Sequence, residues 1–290
     1  MNSVSKLAWL HFKVQLPSDW EPVAFSSNPK EGRLEFANRH GHLGRLAWMQ
    51  CKEPPDIRKI MESFQKASLK TFDKELLKSF SGLSFKAAGA FSAGVHSEGR
   101  PYQAACYHQT IKTFSIWTFP SYGKRDFDEV VAPILESFRE NLGEWREWAI
   151  WGMDFRLHES FTPINVQALP ANVSISFESP RKHRVDMHRW GVPEAVLGNL
   201  SLQDFHRKLL RAGKFRIKDL SERKLKGFDA SKAVISRRGE FDMDYLYGRA
   251  WQGDALCWLD TDAKRINAFE QVHSRKSPAL EMSDVLPQLS

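Results

Sequence analysis

One pattern that occurs twice limits what this chain can become. Tyr102-Gln-Ala-Ala-Cys-Tyr-His-Gln-Thr110 leads into Phe114-Ser-Ile-Trp-Thr-Phe119. Trp251-Gln-Gly-Asp-Ala-Leu-Cys-Trp-Leu-Asp-Thr261 leads into the stretch Ile266 to Val272. Both open on an aromatic residue and Gln, and both carry Cys-aromatic-x-x-Thr. Each reads as two long strands joined by a short turn, the core hairpin of a duplicated unit. Other matches keep a nearly constant spacing: Phe12-Lys-Val and Phe155-Arg-Leu are 143 apart, Trp48 and Trp190 142, Phe36 and Phe177 141. A fixed offset over separate elements marks an internal repeat. The offset widens to 151 between Cys106 and Cys257, which places an insertion of about eight residues in Gly239 to Gly248, read as a longer hairpin.

The domain reading is therefore a first copy over 1–143, a diverged second copy over 144–275 and a tail over 276–290. Strands are expected at Phe12 to Leu16, Gly32 to Phe36 and Leu46 to Cys51, where apolar and polar residues alternate. A long helix is expected from Pro55 to Phe80, because Ile57, Ile60, Met61, Phe64, Phe72 and Leu76 follow the spacing of one buried face. A second helix is expected from Ser201 to Leu220, and a closing one from Lys124 to Arg139. The fold class that results is α+β: two tandem copies of a twisted antiparallel sheet flanked by a long helix. Trp145, Trp148 and Trp151 crowd the junction, which suggests copies that bury aromatic faces against each other.

Composition narrows the setting. The three cysteines, Cys51, Cys106 and Cys257, are far apart, so neither a CxxC metal site nor a disulfide framework is indicated. Reduced thiols in a cytoplasmic protein fit best. No apolar run of 18 residues is present, so no membrane span is expected. A formal net charge of +7 over 290 residues allows an anionic partner without requiring one.

The opening Phe12-Lys-Val-Gln-Leu-Pro-Ser-Asp-Trp20 is similar to the Phe-x-x-x-x-Pro-x-x-Trp start of the PsbP-like α/β proteins. The early helix, the meander of long strands and the closing Ile134-Leu-Glu-Ser-Phe-Arg139 also resemble that group over residues 9–140. The group includes photosystem subunits of the thylakoid lumen and Ran-binding nuclear transport factors. In the second half Phe161-Thr-Pro163 stands where Leu-Pro-x-x-Trp would be, and the closing Ser-Phe-Arg helix is absent. The resemblance implies a twisted antiparallel sheet flanked by helices. It implies binding or assembly roles with varied partners, and no functional residues carry over.

Chemistry-bearing residues are sparse. Cys106 and His108 lie two apart on a strand and share a face, the raw material of a cysteine nucleophile; a packing cysteine is the plainer reading. His40-Gly-His42 could be half of a metal site, but an exposed hairpin tip explains it as well. His183 and His188 are expected near the matching tip of the second half, which Arg181-Lys-His-Arg184 makes cationic. Glu98, Asp126 and Asp128 read as lone carboxylates. The strongest charge feature is Arg207 to Lys226, with nine Lys or Arg against Asp219 and Glu222. On an amphipathic helix it would make one basic face, so Arg207, Lys208, Arg211 and Lys214 are the candidate partner-binding residues. No nucleotide, hydrolase or metalloprotease motif occurs, and no cofactor is expected. The leading reading is a non-catalytic binding or assembly protein for a protein or anionic partner. The alternatives are an enzyme of unknown class with its site in the cleft between the copies, and nucleic-acid binding through the basic 207–226 helix.

Overall fold

The structure, a computed structural model, describes residues 3–57, 59, 92–94, 102–120, 127–237, 251–274 and 278–289. The chain divides into two compact units, Met1–Leu142 with Glu147–Gly152, and Gly143–Arg146 with Met153–Ser290.

The first unit opens with β1 (Val4–Trp9) and β2 (Phe12–Pro17). They are joined by a two-residue turn in which Leu10 takes a φ of 51°. Next come β3 (Glu21–Phe25), β4 (Glu31–Asn38), β5 (Gly41–Gln50), β6 (Ser92–Gly94), β7 (Tyr102–His108) and β8 (Thr113–Phe119). A π-helical turn, Phe127–Val131, runs into α1 (Ala132–Ser137), then β9 (Arg139–Glu140) and β10 (Trp145–Ile150). The main sheet is antiparallel in the order β3-β4-β5-β8-β7-β6. In a smaller sheet β1 pairs with β2 and with β10, and β2 pairs with β9.

Alternation along these strands buries one row of aromatics. Trp117 stacks on Phe119 at 5.4 Å and on Phe36 at 5.6 Å, and Phe138, just past α1, meets its edge at 5.6 Å. Asn141 ties the small sheet together. Its side-chain Nδ2 donates to the Leu10 carbonyl at 3.1 Å and to the Glu147 carbonyl at 2.7 Å. Trp148 and Trp151 spend their faces inside this unit, on Trp9. Trp145 meets His158 in the second unit. The tryptophans of the junction therefore have partners within their own units.

The second unit holds β11 (Met153–His158), β12 (Thr162–Leu169), β13 (Asn172–Glu178), β14 (Arg184–Gly191), α2 (Pro193–Leu197) and α3 (Leu202–Ala212). It continues with β15 (Phe215–Leu225), β16 (Phe228–Arg237), β17 (Trp251–Asp260), β18 (Arg265–Ser274), α4 (Met282–Val285) and a 3-10 turn, Pro287–Leu289. Its seven-stranded antiparallel sheet runs β12-β13-β14-β18-β17-β16-β15.

Three antiparallel sheets with short helices replace the expected long helix on each sheet. The longest described helix is α3, of 11 residues. It starts where Ser201 Oγ accepts from the Asp204 amide at 3.1 Å, an N-cap that satisfies an orphan donor of the first turn. It stops at Gly213, and Lys214 turns the chain at a φ of 61°. The expected helix to Leu220 is therefore wrong beyond Ala212: Phe215–Leu225 is a strand, with Lys218 at a bulge in its pairing with β16. Leu209, Leu210, Gly213, Ile217 and Leu220 fall at helical spacing, but the glycine is a stop signal, and Phe-Arg-Ile-Lys alternates from there on. The expected helix from Pro55 to Phe80 and the hairpin over 239–248 lie outside the described residues.

The twin hairpins correspond one residue away from the sequence match. Each turns over four residues, closing on Lys112 at a φ of 49° and Lys264 at 50°. These lysines are 152 apart rather than 151. A one-residue slip moves a side chain to the other face. Cys106 lies on the face of Ala104, which pairs with Trp117, whereas Cys257 packs under Leu202, Phe205 and Leu209 of α3.

Gly253 sits in β17 opposite Val272. A Cβ there would fall inside the Gln271 carbonyl, so the residue must be Gly for β17 and β18 to pair. Gly253→Ala is expected to destabilise the second unit by about 3 kcal/mol or more, since overpacking against backbone has no flexible neighbour to yield. Urea unfolding of the two proteins measures the loss; equal midpoints would refute it.

Candidate functional site

The two faces of the seven-stranded sheet differ. One is packed: Ile175, Phe177, Val185, Met187 and Phe269 are buried, and Phe155 of β11 meets Phe177 edge to face at 5.7 Å. The C-terminal segment closes this side. Gln271 donates from Nε2 to the Leu280 carbonyl at 2.9 Å and accepts from the Leu280 amide at 3.0 Å. Val285, Leu286 and Leu289 are buried.

The opposite face changes character halfway across. Asn165, Ser176, Asp186 and Glu270 stand in one row across β12, β13, β14 and β18. The same row continues as Ala255, Ala233 and Leu220 on β17, β16 and β15. Where the row is apolar α3 covers it, with Leu210 packed on Ala233, Ile235, Ala255 and Val272. Where the row is polar there is no such cover, and a groove of about 420 Å³ remains. Its floor includes Ser174, Asp186, His188 and Glu270, and its wall is the end of α3 from Leu209 to Phe215.

The floor is organised around Arg184 and Asp186. The guanidinium grips the carboxylate with Nε at 2.9 and 3.1 Å from its two oxygens and Nη2 at 2.9 Å. Nη2 also donates to Ser176 Oγ at 3.3 Å. A bidentate pair of this kind is among the stronger hydrogen-bonded arrangements, and it raises the Arg184 pKa further. Asp186 is thereby fully engaged. Glu270, its neighbour in the row, is not. It is 5% exposed, and its Oε1 is shielded from solvent with no hydrogen-bond partner among the described residues. Burial, and then the Asp186 charge, push its pKa up to about 8. His188 is held below the ordinary histidine range, first by burial, with Asp186 and Arg184 pulling in opposite senses. Its ring stacks on Trp190 at 5.4 Å.

Of the residues singled out in the sequence, Lys214 borders this groove, and His188 and Arg184 line its floor. Of the four candidate partner-binding residues only Lys214 does so. Arg207 is bound by Asp204 at 2.6 Å on the same helix, and Lys208 and Arg211 are exposed on α3. The rest of the basic stretch is not helical. Arg216, Lys218, Arg223 and Lys224 lie on β15, the sheet's edge, where charge and a bulge deter pairing with another chain. There is thus no single basic helix face over 207–226.

Cys106 and His108 are both buried. Burial, and then Glu140, push the thiol up to about 12, and burial takes the imidazole down to about 4. That is the reverse of an activated pair, which needs a thiolate. His108 Nε2 is within hydrogen-bond distance of Ser115 Oγ at 3.0 Å. Glu140 lies 3.5 Å from its Nδ1, but a neutral imidazole makes no ion pair there at neutral pH. Burial likewise raises the Cys257 thiol.

His40 is exposed at the β4–β5 tip and accepts from Arg39 Nε at 3.0 Å. Among the described residues no group of three or more His, Cys, Asp or Glu side chains is placed to hold a metal. His183 is not at an exposed tip: it is buried, with Nε2 3.2 Å from Gln271 Oε1. Asp128 is exposed, while Glu98 and Asp126 lie outside the described residues. No described helix is long and apolar enough to cross a membrane.

The groove's acidic pair, Asp186 and Glu270, was missed because its signal is indirect. Arg184-Val-Asp-Met-His188 puts three polar side chains on one face of a strand whose other face, Val185 and Met187, is buried. Glu270 is the lone acid in the otherwise uncharged run Ile266-Asn-Ala-Phe-Glu-Gln-Val272.

No protein-family model and no curated protein matches the chain. Among solved structures it is similar to a cyanobacterial PsbP (CyanoP) from Synechocystis sp. PCC 6803, at 11% identity and a TM-score of 0.35, over 46% of this chain and 82% of that one. The PsbP-like resemblance read from the sequence thus reappears among solved structures. The chain is also similar to the immunity protein TplEi of the T6SS from Pseudomonas aeruginosa, at 12% identity and a TM-score of 0.33, over 97% of this chain and 91% of that one. A structure of the Tle4–Tli4 complex matches at 12% identity and a TM-score of 0.30, over 97% of this chain and 92% of that one.

Proposed function

We propose that the protein is a non-catalytic binding or assembly protein whose second unit receives part of a protein partner in the groove floored by Ser174, Asp186 and Glu270. The observation that carries this reading is the half-covered sheet face. A polar row runs across four strands, its charged groups fixed by the Arg184–Asp186 fork, and it stands open beside the end of α3. Groups preorganised in this way bind without paying again for their own ordering. The candidate face of Arg207, Lys208, Arg211 and Lys214 then acts as the rim, with Lys214 nearest the groove.

The enzyme reading has less to stand on, since both buried thiols are held protonated. Nucleic-acid binding is likewise less favoured, because the basic stretch is divided between a helix and an edge strand and is interleaved with Asp204, Asp219 and Glu222. Blocking the groove tests the proposal. Asn165 is exposed on β12 and Ser174 half-buried on β13, so Asn165→Trp and Ser174→Trp fill the mouth while leaving the packed face intact. Immobilised full-length protein is expected to retain a stoichiometric protein partner from a lysate of its own cells, and both variants are expected to lose it at unchanged melting temperature. Charge reversal at Arg207 and Arg211 should weaken capture and its salt dependence only modestly. Retention of the same partner by both tryptophan variants, or no partner above background with the wild type, would overturn the reading.

A further inference from the structure

The groove's floor is unbalanced in one specific way. Two carboxyls, Asp186 and Glu270, face one guanidinium, Arg184, and the fork to Asp186 uses three of that guanidinium's contacts. Glu270 is left with an oxygen that has no hydrogen-bond partner among the described residues, in a side chain 5% exposed that lines the groove. A buried acceptor without a donor is costly, and native proteins seldom carry one without a use. The remaining groups around it do not supply the donor. Asn165, Ser174 and Ser176 on β12 and β13 and His188 on β14 carry donors, but none of them meets Glu270 Oε1 among the described residues. Burial lowers the His188 pKa, so it supplies no cation there. Cys257 on β17 stays a thiol. Lys214, the wall's cation, is exposed at the rim and makes no ion pair with Glu270 among the described residues.

Resting on the reading of this groove as a partner site, we propose that the group it receives is a cationic side chain of the partner, a lysine ammonium or an arginine guanidinium, accepted by the carboxyl of Glu270. The cation supplies the missing donor and the missing charge together. Asp186 and Glu270 lie side by side in register, so the cation offsets the repulsion that Glu270 would otherwise meet on ionising. The empty carboxyl keeps its proton at neutral pH, since its pKa is raised to about 8. Arrival of the cation therefore expels that proton to the buffer. Asn165 and Ser174 line the same groove and present polar side chains to whatever enters it.

The test uses the full chain and two probes, agmatine and the capped peptide Gly-Gly-Arg-Gly-Gly, with Gly-Gly-Gln-Gly-Gly as the control. Calorimetry near pH 7 is expected to show the arginine peptide bound at least tenfold more tightly than the glutamine peptide. Proton release should appear as a binding heat that changes between buffers of different ionisation enthalpy. In Glu270→Gln the affinity is expected to fall tenfold or more and the buffer dependence to vanish. Lys214→Met, which removes the cation at the rim, is expected to leave binding equal or tighter. Equal affinity of the arginine and glutamine peptides, or undiminished binding by Glu270→Gln, would overturn the inference. Equal affinity for agmatine and the arginine peptide would overturn the protein source in favour of a free amine. Failure here is distinguishable from failure of the groove itself. If Asn165→Trp abolishes partner capture and Glu270→Gln does not, the groove stands and the cation does not.

Discussion

Glu270→Gln is expected to stabilise the second unit by about 3–4 kcal/mol more at pH 8.5 than at pH 5. The direction follows from where the proton sits in each state. In the unfolded chain the carboxyl ionises near 4.5; in the fold it ionises near 8. Between those values the folded protein holds a proton that the unfolded chain gives up, so raising the pH favours unfolding. Every tenfold change in an ionisation constant is worth about 1.4 kcal/mol. The amide cannot titrate and is spared the loss. Denaturant midpoints of both proteins across this range decide the matter, read as two transitions because the chain has two units. A difference between them that does not change with pH would refute the assignment. The same side chain would then carry a cost in stability and a role in binding, a combination common at functional sites.

Acid is expected to act in the opposite sense and more strongly. His183 and His206 in the second unit and His108 in the first are buried, and each is held down to about 4. Burial is the first cause in all three; for His183 the neighbouring His273 adds to it. The unfolded chain takes up these protons near pH 6.5 and the folded one only near 4. The stability tied to neutral histidine is therefore fully present above 6.5 and is lost as the pH falls toward 4. The loss amounts to about 3 kcal/mol for each histidine. Two such residues set against Glu270 place the second unit's greatest stability near pH 6.5, with a decline on both sides. Glu270 offsets part of the acid loss, so the slopes on the two sides are similar. The net loss between pH 6.5 and 4 is about 4 kcal/mol, a large part of a typical total stability. His206→Leu, which removes a ring whose Nδ1 lies 3.0 Å from Ser231 Oγ and whose Nε2 has no partner among the described residues, should shift the acid transition to lower pH. A midpoint that stays flat from pH 7 to 4.5 would sink the prediction.

Local patterns carried much of this fold, and long-range register carried the site. Phe12 to Leu16 and Val173 to Phe177 are strands because alternation with a period of two is visible in any window. The tight link between β15 and β16, Lys226 and Gly227 at φ values of 44° and 89°, falls instead at the end of the stretch expected to be a basic helix. The expected helix over Ser201 to Leu220 went wrong at a single point, where charge and helical spacing were weighed above Gly213. The groove was not legible at all. Asn165 and Glu270 are 105 residues apart and become neighbours of Ser176 and Asp186 only once β18 inserts beside β14. No property of Glu270 in isolation says that its oxygen will lack a donor. The basic stretch drew attention because charge density is a local quantity, yet half of it serves an edge strand.

The stop at the end of α3 has a consequence beyond ending a helix. A Cβ at Gly213 would fall 2.7 Å from the Phe215 ring, so this exit from the helix is packed around a bare glycine, at the border between the apolar and polar halves of the sheet. One further helical turn would add about 5.4 Å of cover. Gly213 and Phe215 both line the groove, so they shape its opening from the α3 side. Changes at positions 213 and 215 could widen or shutter the opening while the floor's charges keep their places, so access and recognition can vary independently.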